Sequence, residues 1–468
     1  MKVLLVSPKS HTGGLEALRT GNQILQGLLF IAAAARDAGH KVVVVIADAM
    51  SVDRYIRRYQ PDLVGVSCVT ATYPVARELL IHIRQKYPEL PTVIGGHHAT
   101  FMYKEIFQET DVHYICRGEG EEVFVKLLAA LEAGNKYPDI PGMVYCQDGI
   151  CFNDEVIAIL DDLAHLPRIT LDLVAPEFSF SPKLVSSRGC PFRCSFCSIS
   201  AFYGGKYRQR TVDEVITDLK DYMSWGFDQF WFHDDNLTVN KAWLTDFCNR
   251  LITERIKIRW NAMSRVSIIA KEPELIALMH RAGCSLLSIG IESGIPEVIE
   301  RMHKNIDLND IDRAIAVMDK IGMTHNWYMI LGSGDEYDTP EYLQKNLDFF
   351  KARKLGYLVI SILTPLPGTE LFDKLKKENR ILHYNWEDYD IAHCVYQPLG
   401  MEPHDLEAFM PKAYRQIYLS KGWRLVPLAI KSIKTGAMRP QQIFTGAKII
   451  MQNKLFGKDF LKAMEKRK

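Results

Sequence analysis

At 468 residues, 47% hydrophobic and 24% charged, the chain is too long for one hydrophobic core and too apolar for a disordered protein. Two or three packed domains are expected. Its 57 Lys and Arg against 56 Asp and Glu leave a net charge of +1, which gives no electrostatic reason to expect a nucleic-acid partner and suits a small or lipid-like substrate.

Residues 1–7 form a short β-branched run ending at Pro8, unlike a secretory leader. Residues 1–125 then alternate β-rich runs at 3–6, 41–46, 63–67, 92–94 and 113–116 with helix-period segments at 23–38, 52–58, 74–87 and 103–109. This pattern predicts an α/β domain over residues 1–140, a doubly wound, Rossmann-like parallel sheet. Ligands of such sheets bind outside the carboxyl ends of the strands. Those ends carry Pro8, then Ser67, Val69 and Thr70, then Gly95, Gly96 and His97, then Arg117, Gly118 and Glu119.

Residues 141–183 lose the alternation and carry Pro141, Pro167, Pro176 and Pro182, which predicts a linker or small subdomain. A second βα series follows, with strands at 184–187, 229–233, 258–262, 286–291, 324–331 and 357–363. Six such repeats predict a partial (β/α)6 barrel over residues 184–375, with its active site at the carboxyl ends of the strands. Residues 376–468 are first aromatic, around Tyr384, Trp386 and Tyr396, and then helical and basic, with Lys412, Arg415, Lys421, Arg424, Lys431, Lys434 and Arg439. No apolar run is long enough to span a bilayer, since residues 24–35 are broken by Gln26 and Gly27, so no transmembrane segment and a cytoplasmic location are expected.

Ten cysteines in such a chain are expected to be reduced thiols or metal ligands. Cys68, Cys116, Cys146, Cys151, Cys248, Cys284 and Cys394 are scattered, and most read as small buried apolar residues. Cys190, Cys194 and Cys197 differ, because they fall within eight residues directly after a predicted strand. Three thiolates can each hold one iron of a cubane cluster, and no fourth cysteine is near, which leaves one iron open. Structural zinc is the rival, but it wants four ligands in paired spacings, and no second pair follows.

The run Gly189-Cys190-Pro191-Phe192-Arg193-Cys194-Ser195-Phe196-Cys197 after the first barrel strand resembles the radical S-adenosylmethionine (SAM) superfamily. The resemblance implies a 4Fe-4S cluster on the three cysteines, whose open iron chelates SAM, and reductive cleavage to an adenosyl radical. It also implies an electron donor such as flavodoxin or ferredoxin, and anaerobic, oxygen-sensitive chemistry. Phe196 matches the position near the adenine; Asp234, Asp235 and Asn236 match the group that bonds the SAM ammonium, although they depart from the Gly-Gly-Glu of many members. Arg265 is the counterpart for the SAM carboxylate, and Glu292 for the ribose hydroxyls. A packed aromatic, a solvated acidic turn and a surface salt bridge are the plain alternatives for Phe196, for residues 234–236 and for Arg265.

Together, residues 1–375 are similar to radical SAM proteins with an N-terminal cobalamin-binding domain. The stretches that carry this are Gly95-Gly96-His97 with Thr100-Phe101-Met102-Tyr103, Arg117-Gly118-Glu119-Gly120-Glu121, and the cysteine loop with Asp234-Asp235-Asn236. The likeness is greatest to the group of the anaerobic magnesium-protoporphyrin monomethyl ester cyclase, whose close members include cobalamin-dependent C-methyltransferases. The strand-end residues named above, from Pro8 to Glu119, are then the expected cobalamin contacts. The Asp-x-His-x-x-Gly motif that supplies an axial histidine elsewhere is absent, and His11 lies in a loop without the aspartate.

The expected activity is methyl transfer to an unactivated carbon through a 5'-deoxyadenosyl radical and methylcobalamin. The alternatives are a radical oxidative cyclase and a non-catalytic cobalamin or iron–sulfur sensor. A small-molecule, lipid-like, tetrapyrrole or protein substrate is compatible with these readings. The basic C-terminal helices with Trp423, Leu425 and Ile430 are either a solvated tail or a membrane-peripheral surface.

Overall fold

The computed structural model describes residues 1–9, 24–421 and 425–435, apart from residues 148, 165, 179, 180 and 182. His11, Trp423 and the side chain of Leu425 lie outside the described residues.

The first sheet contains β1 (Lys2–Pro8), β2 (Lys41–Ala47), β3 (Leu63–Ser67), β4 (Thr92–Gly95), β5 (Tyr114–Cys116), β6 (Met143–Gln147) and β7 (Ile150–Phe152). Their spatial order is β2-β1-β3-β4-β5-β6-β7. The first five strands are parallel, and helices cover both faces, which is why β1 reads as one continuous apolar run. Chain order reverses between β1 and β3, so the crevice at their carboxyl ends is the ligand position of this architecture.

The stretch expected to be a linker begins instead as a hairpin. Strands β6 and β7 continue the front sheet in antiparallel sense, with the turn made at Gly149. Cys146 and Cys151 are register partners across this hairpin and are joined in a disulfide, contrary to the expectation of reduced, buried thiols. Cys68, Cys116, Cys248, Cys284 and Cys394 are free and buried, as expected.

The second sheet contains β8 (Lys183–Leu184), β11 (Gln229–Phe232), β12 (Arg259–Ser264), β13 (Cys284–Glu292), β14 (Thr324–Leu331) and β15 (Tyr357–Ile362), all parallel, in the order β15-β14-β13-β12-β11-β8. One face packs under the helices: Phe230, Phe232, Trp260, Ala262, Leu287, Ile289, Trp327, Leu358 and Ile360 belong to its core. The other face is less completely covered. Gln229, Trp231, Asn261, Met263, Asn326, Tyr328, Val359 and Ser361 alternate with those residues and are only half-buried.

The strand expected at 184–187 divides. Lys183 and Leu184 stay in the large sheet, whereas β9 (Ser187–Arg188) leaves it to pair antiparallel with β10 (Arg208–Gln209). The Asp234 carboxylate holds the divide, accepting from the Ser186 N–H at 3.1 Å and from the Ser186 and Ser187 hydroxyls at 2.5 Å each.

The C-terminal region is tied to both sheets. Helix Pro403–Lys421 lies along edge strand β15, where the Tyr414 hydroxyl accepts from the Ile360 N–H (2.9 Å) and donates to its carbonyl (3.1 Å). Tyr418 does the same at Leu358. Two hydroxyls thus satisfy backbone groups that an open edge would expose. Helix Leu425–Thr435 follows, and Val426, Ile430 and Ile433 on it are exposed. Before both, Trp386, Tyr389 and Val395 return to the core of the front domain. Among the described residues, no helix is long and apolar enough to cross a membrane.

His98 marks this return. It is 1% exposed, stacks on Tyr73 (centroids 4.3 Å apart) and meets the edge of Trp386 (4.8 Å), and burial pushes its imidazole down to about 3. An unfolded histidine takes its proton near pH 6.5, so the contribution of neutral His98 to stability is complete above that value and is lost progressively as pH falls toward 3. Between pH 7 and 5 the wild type should lose about 2 kcal/mol more stability in urea unfolding than His98→Phe.

Candidate cofactor site

The three cysteines occupy the loop between β9 and the helix Ser198–Tyr203, at the carboxyl end of the barrel sheet. Gly189 makes the turn into it with φ +83°; a Cβ there would lie 2.0 Å from the Lys206 carbonyl oxygen, so only glycine fits between β9 and β10. The Gly189 N–H donates to Asp235 at 3.0 Å. All three thiols are partly accessible, and burial raises Cys190 and pushes Cys197 up to about 11. Among the described residues no three ligand side chains gather closely enough to share one ion. A mononuclear thiolate site would bring its sulfurs to about 3.8 Å from one another. Three partly accessible thiols on one short loop suit instead a multi-iron cluster with one thiolate per iron.

Residues expected to hold SAM surround the loop. Phe196 is half-buried and, with Ser195, Ser333, Asp335 and Leu363, lines a cavity of about 250 Å³ at the ends of β14 and β15. Arg265 lies 3.6 Å over the Phe192 ring and donates through Nη2 to the Asn305 carbonyl (2.8 Å) and to that of Lys304. Its Nε is buried without a partner among the described residues, as a donor awaiting an anionic ligand would be. Glu292 ends β13 at φ +71°, a conformation uncommon for a side-chain-bearing residue, and is held there by Lys304 at 2.7 Å. Asp235 is pushed up to about 7, first by burial and then by Asp234, against the opposing Gly189 N–H and Arg188. Asp234 and Asn236 face other partners. Asp234 bonds Ser186 and Ser187 as above, and Asn236 caps the turn at Thr238 (3.3 Å).

The strand ends of the front domain come to the same place. Ser67, Val69, Gly95, Gly96 and His97 are half-buried there, with Pro8 ending β1 and Thr70 buried beside Val69. Gly96 sits at φ +105° against the Cys68 backbone, where a Cβ would meet the carbonyl oxygen at 2.2 Å. His97 stacks on Phe202 at 4.3 Å, five residues beyond Cys197, and is pushed down to about 4 by burial. Its Nε2 is buried with no partner among the described residues, which fits a ligand packed on this edge.

Arg117, Gly118 and Glu119, beyond the end of β5, have protein partners. Arg117 lies over the Tyr103 ring and donates to the carbonyls of Thr100 (2.9 Å) and Asp154, and the Gly118 N–H donates to Thr100 Oγ1 at 3.0 Å. Glu119 and Glu121 tie the front domain to the β9–β10 pair. Arg188, two residues before Cys190, donates to Glu119 Oε1 (2.8 Å) and Glu121 Oε1 (2.6 Å) and lies over the Phe30 ring. Arg208 on β10 donates to Glu119 Oε2 and to the Leu160 carbonyl (2.7 Å), and all four side chains are buried. Burial alone would lower the Arg188 guanidinium, but Glu121, Tyr203 and Glu119 outweigh it and its pKa is raised. Sequence reasoning missed this role because the partners are 67 to 89 residues apart.

Removing one partner of a buried network leaves the remaining charges uncompensated. Glu119→Gln should therefore lower unfolding stability by about 3 kcal/mol in denaturant titration, whereas Glu122→Gln, at an exposed neighbour, should change it by less than about 0.5 kcal/mol.

Comparison with known proteins agrees with this arrangement. Residues 21–128 match the B12 binding domain and residues 184–340 match the Radical SAM superfamily. An uncharacterized methyltransferase of Pyrococcus horikoshii is 28% identical over 90% of this chain and 93% of its own length. The anaerobic magnesium-protoporphyrin IX monomethyl ester cyclase of Rubrivivax gelatinosus is 27% identical over 91% of this chain and 79% of its own. Among solved structures, the cobalamin-dependent S-adenosylmethionine radical enzyme OxsB, with aqua-cobalamin and S-adenosylmethionine bound, shares the fold with a TM-score of 0.71 and 15% identity, over 97% of this chain and 71% of that one. The chain thus carries a B12-binding domain and a radical SAM domain in tandem, the arrangement of the cobalamin-dependent radical SAM proteins that it resembles.

Proposed function

We propose that the protein is a C-methyltransferase that acts on a carbon without ready nucleophilic reactivity. The observation that carries this reading is the His97–Phe202 stack, which sets the strand ends of the B12-binding domain directly against the helix that follows Cys197. One junction then serves both halves of the reaction: the cluster with SAM supplies a 5'-deoxyadenosyl radical, and cobalamin supplies the methyl group. A relative over 90% of the chain carries a methyltransferase name, which supports the same reading.

The residues divide the work by what they touch. Cys190, Cys194 and Cys197 hold the cluster. Phe196 packs the adenine within the cavity beside Ser333 and Leu363. Asp235 takes the SAM ammonium, since both Asp234 oxygens are occupied by the loop and Asn236 is spent on its own turn. Arg265 offers its unpartnered Nε to the SAM carboxylate, and Glu292, held by Lys304, accepts from the ribose. Pro8, Ser67, Val69, Thr70, Gly95, Gly96 and His97 form the edge that receives the corrin. Arg117, Gly118 and Glu119 support that edge from behind. Electrons come from a small donor protein of the flavodoxin or ferredoxin kind. The half-empty face of the barrel sheet, which opens toward the same junction, receives the substrate.

Two measurements check this. Cys194→Ala should lose bound iron and deoxyadenosine formation while retaining cobalamin, because the two sites are built on separate sheets. Anaerobic turnover with methyl-labelled SAM should place the label in the product carbon skeleton. An oxidised, cyclised product without label would favour the cyclase reading, for which the Rubrivivax relative is the supporting observation.

A further inference from the structure

The open face of the barrel sheet carries one residue that a packed interior would not keep. Lys183 is the register partner of Trp231, and its neighbour Leu184 packs under the helices, so Lys183 presents to the open face. It is half-buried. Its ammonium is held below the ordinary lysine value by burial alone, with no carboxylate opposing that shift. Beside it, where β11 ends, His233 is exposed to the open space yet held down to about 4, first by the surrounding protein and then by Lys183, Arg188 and His97. His233 is therefore neutral and adds hydrogen bonding without charge. A cation in a partly dry recess with no counter-charge is costly, and such groups mark binding sites more often than they mark scaffolding.

A second observation lies three strands away. Ser288 on β13 is fully buried with its Oγ unpartnered, and Asn326 on β14 has its Oδ1 buried and unpartnered, among the described residues. The two are register partners and share the open face. Neither needs to stay orphaned if a ligand hydroxyl accepts from Ser288 and donates to Asn326. Between Lys183 and this pair stand the apolar surfaces of Trp231 and Met263, while Asn261 is already engaged by the Ser285 hydroxyl at 2.7 Å. Three strand spacings separate β8 from β13, about 14 Å along the sheet.

We propose that this face binds an elongated substrate with a carboxylate at Lys183 and His233, an apolar body across Trp231 and Met263, and a hydroxyl at Ser288 and Asn326. One cation beside one neutral imidazole balances one negative charge, which selects a carboxylate over a phosphate monoester carrying nearly two. This assignment rests on the reading of the face as the substrate site and gives that site its chemical class.

The test is anaerobic calorimetric titration of the cobalamin- and cluster-loaded protein, with SAM present, using four probes. They are 4-(4-hydroxyphenyl)butanoate, its carboxamide, the corresponding alkyl phosphate and 4-phenylbutanoate. The hydroxyphenyl carboxylate should bind at least about tenfold more tightly than the carboxamide and more tightly than the phosphate. Lys183→Gln should erase the preference over the carboxamide, and Lys183→Arg should keep part of it. Ser288→Ala should remove the advantage of the hydroxyphenyl over the phenyl probe. Each variant is taken as folded when its iron and cobalamin contents equal those of the wild type. Equal affinity for carboxylate and carboxamide, a preference that survives Lys183→Gln, tighter binding of the phosphate, or no binding by any probe would overturn the proposal. A carboxylate preference in a protein that transfers no label would instead sink the methyltransferase reading and leave this one standing.

Discussion

The architecture turns on a buried network of four charges. Arg188 and Arg208 project from the two short strands that frame the cysteine loop, and Glu119 and Glu121 project from the end of β5 and the helix after it. Burying such groups gains little stability over an apolar contact, yet it fixes geometry, because a buried guanidinium must keep its carboxylate partner in place. The network sits two residues from Cys190. Whatever holds Glu119 therefore also holds the loop that carries the three cysteines, and the front domain cannot shift without straining it.

From this constraint the rest of the site follows in order. With β9 and β10 drawn toward the front domain, Asp234 closes the loop from below through Ser186 and Ser187, and Asp235 meets it through the Gly189 N–H. The helix after Cys197 then lies against His97, so that the edge of one sheet faces the mouth of the other. The barrel sheet remains open on its inner side because its helices cover only the outer one. At the end of β11, exposed His233 stands where its imidazole senses both Lys183 and His97. The C-terminal region completes the enclosure from outside: Tyr414 and Tyr418 seal the free edge of β15, and Trp386 anchors the preceding segment on His98.

Much of this was legible in the sequence, for identifiable reasons. Parallel strands buried on both faces are continuous apolar runs, so β1 to β5 stood out by composition, and three cysteines in eight residues carry their chemistry in their spacing. Other features were not. The hairpin of β6 and β7 was hidden by the prolines around it, although two cysteines flanking a short turn at Gly149 were a usable sign of cross-strand pairing. The alternation that defines the open face was masked in β11, where Phe230, Trp231 and Phe232 are aromatic on both sides of the sheet. Arg117, Gly118 and Glu119 lie at a strand end, where ligands bind in such folds, but their partners are Tyr103, Thr100, Asp154, Arg188 and Arg208. Nothing local in a single sequence distinguishes a carboxylate that faces a ligand from one that faces an arginine far along the chain.

The account stands on the two redox centres meeting across one junction, and a magnetic measurement addresses that directly. In the fully loaded protein, reducing the iron–sulfur cluster should accelerate the spin relaxation of cob(II)alamin, since two paramagnets held face to face relax each other. Cobalt relaxation that is the same with the cluster present and reduced as in the cluster-free cysteine variant would contradict it, because the centres would then be too far apart to share a substrate.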